Sequence, residues 1–406
     1  MNRLRGVAYR YPGSVAMFLV LWCLPLMLRA KPSSWGAGGY LKNLLTWSDG
    51  PALGFTAGEG RWQNTTQFRL NLRWYPVESV TACLESRHLA VLQRNIGKGT
   101  GYLGVIPSQT GYYLDLEGQR VNRSSLFTTA VDRMYLDWTY RSLEVTAGRQ
   151  RVAWGTCLVW NPTDLFNPYS VLDFDYEEKP GTDALRIQVY TGAVSTVELA
   201  GAPGRTDGQT TYGMRYLSGL GGYDISMVAG WERRFWRLGL GWAGQIEGGG
   251  FRGEVLYSKP GETIVLGPGV GSSDGAALTD FWTLALSYDY TFRNSFYVHS
   301  ELLYNGLGTT DDAGLRRAET IITGELSPAR YSVFQELAYD ITPLLRCDIF
   351  AIANPSDRSW TCVSSLAYSL SPDWELSAFV IPSGGRTGSE FGGIPGQAAL
   401  RIRYDF

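Results

Sequence analysis

Apolar and polar residues alternate at every second position along nearly the whole chain. Within 66–76, Phe68, Leu70, Leu72 and Trp74 make one face, and Gln67, Arg69, Asn71 and Arg73 make the other. A period of two marks a strand with one apolar and one polar side. Segments of like quality run over 133–140, 223–231, 281–290, 295–304, 331–340, 345–353, 360–370 and 374–380. Weaker ones fall at 39–47, 80–91, 143–152, 184–191, 195–200, 210–216, 235–245 and 251–257. The final segment, 397–406, sets Leu400, Ile402, Tyr404 and Phe406 against Arg401, Arg403 and Asp405. Each segment is bounded by Gly, Pro, Asn or Asp, the residues of turns.

The connections add an independent regularity. Short ones at 77–79, 141–142, 191–194, 247–250, 292–294, 341–342 and 371–373 alternate with long ones at 92–128, 153–183, 258–275, 305–328 and 383–396. One pair is out of phase, since 217–222 is longer than 232–234. Short turns on one side and long loops on the other are what an up-and-down membrane barrel requires. The pattern therefore predicts an all-β, transmembrane, antiparallel up-and-down barrel of about eighteen strands, with sixteen as the alternative count. Trp and Tyr gather at strand ends, as at Trp74, Tyr75, Tyr288, Tyr290, Tyr368, Trp374 and Tyr404, where aromatic girdles meet membrane surfaces. A row of soluble β-sandwiches also alternates, but it needs a linker or a composition shift between domains, and none is visible.

Composition narrows the picture. The 406 residues include 49 Gly, 24 Tyr and 14 Trp, with a mean hydropathy of -0.12. Spread-out apolar residues suit a barrel and exclude a bundle of membrane helices, which needs apolar runs of about 20 residues. A net charge of -2 offers no basic patch for nucleic acid. At the N-terminus, Arg3, Arg5 and Arg10 precede an apolar run over 15–28, as in an export signal. Residues 1–36 are expected to be that signal and 37–406 a single outer-membrane barrel domain.

The stretch 143–168, LEVTAGRQRVAWGTCLVWNPTDLFNP, leaves a strand and enters a long loop. It resembles porin-like outer-membrane barrels of Gram-negative bacteria, in which a strand ending GRQ-x-x-x-WG is followed by an Asn-Pro-x-Asp turn. The matching residues are Gly148, Arg149, Gln150, Trp154, Gly155, Asn161, Pro162 and Asp164. Alginate-export and capsule-assembly barrels are similar in general form. The terminal strand, ending on Phe406, likewise resembles the strand by which such barrels are recognised and closed. The resemblance implies a bacterial outer-membrane location, contact with outer-membrane lipid and lipopolysaccharide, and folding by a barrel-assembly machinery that reads that strand. It also implies that the third external loop, 153–183, folds inward and narrows the barrel.

That loop carries Asp164, Asp173, Asp175, Glu177 and Glu178, which would make an acidic constriction. Inward positions near the closure give a basic stripe, Arg69, Arg73, Arg401 and Arg403, and those further round give an acidic wall, Asp289, Glu301, Glu336 and Asp340, with His299. Opposed charges across a narrow pore orient solutes; the plainer reading is that each hydrogen-bonds within a wetted wall. Two histidines, His88 and His299, leave little for His-based catalysis, so the chain does not read as an enzyme. No metal-binding spacing and no cofactor motif is present. A hairpin centred on Ser356 would set Cys347 opposite Ser365, leaving Cys362 out of register and arguing against a Cys347–Cys362 disulfide.

Function follows as an expectation: a channel for passive diffusion of small polar or anionic solutes through a water-filled lumen. The alternative is an outer-membrane polysaccharide-binding, assembly or export protein closed by its loops, kept open by Tyr102, Tyr112 and Tyr113 in the second loop.

Overall fold

The computed structural model describes residues 34–48, 61–93, 113–122, 124–166, 178, 181–263, 278–317, 320 and 323–406. The strands are β1 (Trp35–Ser48), β2 (Arg61–Val77), β3 (Val80–Gln93), β4 (Glu117–Val121), β5 (Ser125–Tyr140), β6 (Leu143–Gln150) and β7 (Thr182–Tyr190). They continue as β8 (Thr196–Ala202), β9 (Thr211–Leu220), β10 (Tyr223–Glu232), β11 (Phe235–Ile246), β12 (Gly249–Pro260), β13 (Phe281–Thr291) and β14 (Tyr297–Asn305). Last come β15 (Tyr331–Thr342), β16 (Leu345–Asn354), β17 (Ser359–Ser371), β18 (Trp374–Ile381), β19 (Ser383–Gly384) and β20 (Gln397–Asp405).

Two of these are appendages: β4 pairs with the upper half of β5, and β19 continues β18 past Pro382 to pair with β17. The other eighteen form a closed antiparallel wall. The seam is made by β20, which pairs with β18 on one side and β1 on the other. Closure leaves no unpaired edge. The backbone of Phe406 finishes it, exchanging hydrogen bonds of 3.0 Å with Gly39 in both directions.

All eighteen segments expected from the sequence lie on wall strands. The out-of-phase pair has a physical explanation. β9 runs on to Leu220, so its turn shrinks to Gly221 and Gly222, with φ of 62° and 83°. Two consecutive left-handed residues make the tight hairpin whose twist matches the strands. At the other end β10 and β11 are joined by Arg233 and Arg234 alone, at φ 47° and 76°, a left-handed pair made without glycine. The β16–β17 hairpin pairs Cys347 with Leu366 and Cys362 with Ala351, one residue away from the expected register. Both thiols are free, as are those of Cys83 and Cys157.

Strand alternation sorts the residues cleanly. On β11, Trp236, Leu238 and Leu240 are exposed, while Phe235 and Arg237 between them are buried. On β13, Trp282, Leu284, Leu286 and Tyr288 are exposed, and Phe281, Thr283, Ala285 and Ser287 are buried. The outer surface is thus an apolar band, and the buried set faces the interior. The band has tryptophan at both ends: Trp47 lies opposite Trp62, and Trp35 stacks on Trp74 at 5.5 Å. Trp35 and Trp47 lie roughly 40 Å apart along a strand rising ~3.3 Å per residue, or about 28 Å in height at a 45° tilt. That matches the ~25 Å apolar band of membrane barrels.

Candidate functional site in the barrel interior

The connection after β6 turns into the barrel at the predicted motif. Gly148 has φ of 120°, and a side chain there would collide with the Met134 carbonyl. Only glycine takes that kink without strain. Arg149 fills the fork where β5 parts from β6. It donates to the Asp183 carboxylate at 2.8 and 3.1 Å, to the Val131 carbonyl at 2.9 Å and to the Leu114 carbonyl at 2.6 Å. Asp183 in turn accepts from the Leu114 amide at 2.8 Å, so a single ion pair fixes the start of β7 and the chain leading into β4. Gln150 donates to the carbonyls of Thr146 and Ala184 at 2.9 and 3.0 Å.

Beyond the kink the chain lies across the interior. Trp154 is wholly buried, edge-on to Phe166 at 4.9 Å, and its indole N–H donates to Glu198 at 2.6 Å. Val152, Trp154, Leu165 and Phe166 pack on inward residues of β7, β8, β10 and β12. Cys157 and Trp160 pack on Ala285, Leu303, Phe334 and Ile352 of β13 to β16. Asn161 sits against Gly155, where any side chain would clash, and Asp164 turns back to accept from the Trp154 amide at 3.3 Å. The motif residues therefore fold the loop and tie it down.

Two wall carboxylates hold the loop backbone. Glu254 of β12 accepts from the amides of Thr156, Cys157 (2.9 Å) and Thr163 (2.8 Å) and from both threonine hydroxyls, at 3.1 and 2.7 Å. Glu301 of β14 accepts from the amides of Leu158, Val159 and Trp160, at 3.3, 3.2 and 2.5 Å. Both carboxylates have no solvent exposure. Successive N–H groups converging on an anion make a strong site because the charge keeps several donors in place of water. Burial, with Glu254 and Glu301 beside it, pushes the Cys157 thiol up, so it stays protonated.

The opposite arc is lined by charge. Arg69, almost fully buried, reaches Asp132 at 2.6 Å, Glu85 at 2.5 Å and Glu178 at 3.4 Å. Glu178 also accepts from the Tyr40 hydroxyl at 3.1 Å. Arg87 shares Asp132 at 3.4 Å. Arg403 lies over the Tyr40 ring at 4.4 Å and pairs with Asp405 at 2.7 Å; Arg401 pairs with Glu375 at 2.8 Å and lies over Phe379. Arg73 is exposed. Three of the four stripe arginines are thus ion-paired, and the loop residue Glu178 belongs to the cluster around Arg69.

The acidic wall divides. Glu301 is covered by the loop, where the sequence suggests a free wall charge. Asp289 pairs with Arg252, Glu336 meets His299 at 3.2 Å, and Asp340 meets Arg346 at 3.1 Å. Asp173, Asp175 and Glu177 lie outside the described residues. Glu254, Glu198, Glu85 and Asp132 escape a sequence reading that seeks stripes of one sign. The available signal was an acid at an inward position in mid-strand.

The long loops of the same end interlock. Arg237 lies between Phe235 and Phe281, with centroids at 4.8 and 5.7 Å, pairs with Glu232 at 3.1 Å, and donates to the Thr323 carbonyl at 2.9 Å. Glu390 of the loop before β20 accepts from Ser327 at 3.1 Å and sends its amide to Asp357 at 2.7 Å. Burial pushes the Glu390 carboxyl up to about 7, and the Asp357 charge adds to the shift.

No family model and no curated protein matches the chain. Among solved structures it is similar to OccAB3 and OccAB2 of Acinetobacter baumannii. Identities are 12% and 11%, TM-scores 0.53 and 0.54, and the matches cover 92% of this chain and 99% and 98% of theirs. OccK5 (OpdH) of Pseudomonas aeruginosa matches at 10% identity and a TM-score of 0.53, covering 92% of this chain and 98% of its own. At such identity the likeness is one of fold.

Proposed function

We infer that this protein is an outer-membrane channel through which small polar or anionic solutes diffuse. The export signal lies ahead of β1 and ends before Trp35, since Trp35 and Gly36, which the sequence assigns to the signal, pair with Trp74 and Arg73 of β2. The observation that carries the reading is the sorting of the wall. Its outside is a band of Leu, Trp and Tyr of membrane height, and its inside is polar and charged. A surface of that kind is stable only in lipid. The loop docked by Glu254 and Glu301 narrows the lumen from the β8–β16 side. What remains open is bordered by Arg73, Arg401 and Arg403, with Arg69 buried behind them among Asp132, Glu85 and Glu178, and these arginines favour anions and draw them in. The test is conductance of the purified protein in planar bilayers. Stable single-channel steps with an anion-directed reversal potential are expected; a silent bilayer rejects the channel.

A second reading has its own support in the interlocked loops joined by Arg237 and Glu390, which suit a loop-closed protein that binds polysaccharide at its outer end. Binding of acidic glycan together with a silent bilayer would favour it.

A further inference from the structure

The two carboxylates under the inserted loop are not equally provided for. Glu254 accepts from three loop amides and two threonine hydroxyls, and Glu301 from three loop amides. Both are wholly buried. Glu301 has to be ionised to do this, because a protonated carboxyl would turn a donor toward amides that are donors themselves. A buried charge with fewer hydrogen bonds needs compensation from another group.

His299 is placed to give it. It shares the inner face of β14 with Glu301, and in the strand register it stands opposite Glu336 of β15, while Glu301 stands opposite Ser287 of β13. Its Nε2 lies 3.4 Å from Glu301 and 3.0 Å from the Ser287 hydroxyl, and its Nδ1 lies 3.2 Å from Glu336. Exposure falls from 22% at Glu336 to 1% at His299 and none at Glu301, so the three form a row from the lumen surface to the underside of the loop. Asp348 of β16 stands beside Glu336 at the lumen end. The Phe334 ring, 5.1 Å from the imidazole and edge-on to Trp160 at 6.4 Å, closes the row off with apolar surface. A neutral ring with its proton on Nδ1 would present Nε2 as an acceptor to Glu301, another acceptor, with only the Ser287 hydroxyl to satisfy it. An imidazolium donates at both nitrogens and meets both carboxylates.

We propose that His299 is a positioning residue of the constriction: its positive charge, held between Glu336 and Glu301, keeps Glu301 ionised and aimed at the amides of 158–160, and so ties the docking of the loop to the charge at the lumen surface. The role in permeation rests on the channel reading above; the role in docking does not. Glu336 acts at one remove, by holding the second proton of the ring. The low-dielectric surroundings make this charge matter more than it would in a wetted wall.

The experiment uses the full chain in detergent for the rate of chymotryptic cutting near Trp160, and in planar bilayers for single-channel conductance. His299→Gln, polar but uncharged, is expected to be cut about tenfold faster than the wild type, as a lost charge-assisted hydrogen bond requires, and to conduct more. His299→Lys returns the charge on a side chain of different shape, and it is expected to bring both readings back toward the wild type. A purely structural role for the ring would instead make the two substitutions alike. Glu336→Gln provides a test that leaves His299 in place; it should raise the cutting rate in the wild-type chain. In the His299→Lys chain the same change should add little, because an ammonium keeps its charge without Glu336. A His299→Gln chain cut at the wild-type rate, His299→Gln and His299→Lys chains cut equally fast, or a Glu336→Gln effect of the same size in both backgrounds would each overturn the inference. The expected order of cutting rates together with a silent wild-type bilayer would uphold the positioning role and reject the channel.

Discussion

The carboxylates under the inserted loop on one arc of the barrel wall and Arg69 on the other are stabilised in opposite ways. From β7 to β16 the interior is filled by chain: Glu254 and Glu301 are each held by backbone N–H groups of the inserted loop, with His299 also 3.4 Å from Glu301. From β20 through β1 to β5 the interior is lined by side chains, and Arg69 is held by three carboxylates. A carboxylate met by amides orders a segment of chain and dries the space around it. A guanidinium met by carboxylates orders only side chains and leaves a charged surface. On the channel reading proposed above, the first arc sets how wide the passage is, and the second sets which solutes prefer it.

The largest effect that could break this contrast is expected from Glu254→Ala combined with Glu301→Ala. Hydrogen bonds to a charged group contribute ~1.5–3 kcal/mol each, so stripping the acceptors from the loop amides should release the loop altogether. Single-channel conductance should rise several-fold, and chymotrypsin should cut near Trp160, which is buried in the folded protein. Unchanged conductance with an intact loop would show that the apolar contacts of Trp154 and Trp160 suffice.

Arg69→Met comes next. It leaves Asp132, Glu85 and Glu178 facing one another without their shared cation, and removing one partner from a buried network costs about 3–5 kcal/mol. Urea unfolding should show the loss, the reversal potential should move toward cations, and Asp132→Asn in the same chain should recover part of the stability. If Arg69→Met left the reversal potential in place, this arc would have no part in selectivity.

The wall was legible in the sequence because lipid outside and water inside impose one rule on every strand. Leu238, Leu240, Leu284 and Leu286 obey it residue by residue. The site was legible only in part. Strand parity shows that Arg69 and Glu301 point inward, but parity says nothing about what arrives from a distant loop, and each proved to be bonded to groups over a hundred positions away: Glu178 for Arg69 and Trp160 for Glu301. Gly148 and Arg149 stood out as a motif. Their work, a left-handed kink and a plug in the β5–β6 fork, depends on where β4 and the second loop lie, and no local pattern reports that.

The loops over the filled arc add a smaller, pH-dependent effect. Glu390 holds its proton up to about 7 in the folded protein against 4.5 ordinarily, mainly through burial. Below 4.5 it is neutral folded or unfolded. Between 4.5 and 7 the unfolded chain gives up the proton and the folded one keeps it, so stability falls as pH rises. The full penalty, about 3 kcal/mol, is reached above 7. Glu390→Gln should flatten that part of the pH profile in urea unfolding, leaving the profile of the charged arc unaltered. A slope that survives the substitution would assign it to other groups, Glu325 first, whose carboxyl is also raised by burial.

Arg73→Glu should have the smallest effect, and it tests whether the stripe is one unit. Arg73 shares the inward face of β2 with Arg69 but is exposed near the short-turn end. A surface substitution of this kind changes stability by about 0.5 kcal/mol or less. Its charge acts on passing ions through water, where screening has a length of ~8 Å at physiological salt and ~3 Å at 1 M. The shift of reversal potential toward cations should therefore be small at low salt and vanish at 1 M. The shift from Arg69→Met, made in a water-poor network, should persist at 1 M. Equal shifts with equal salt dependence would mean that the arginines act as a uniform wet stripe, and the distinction between buried and exposed charge on this arc would have to be dropped.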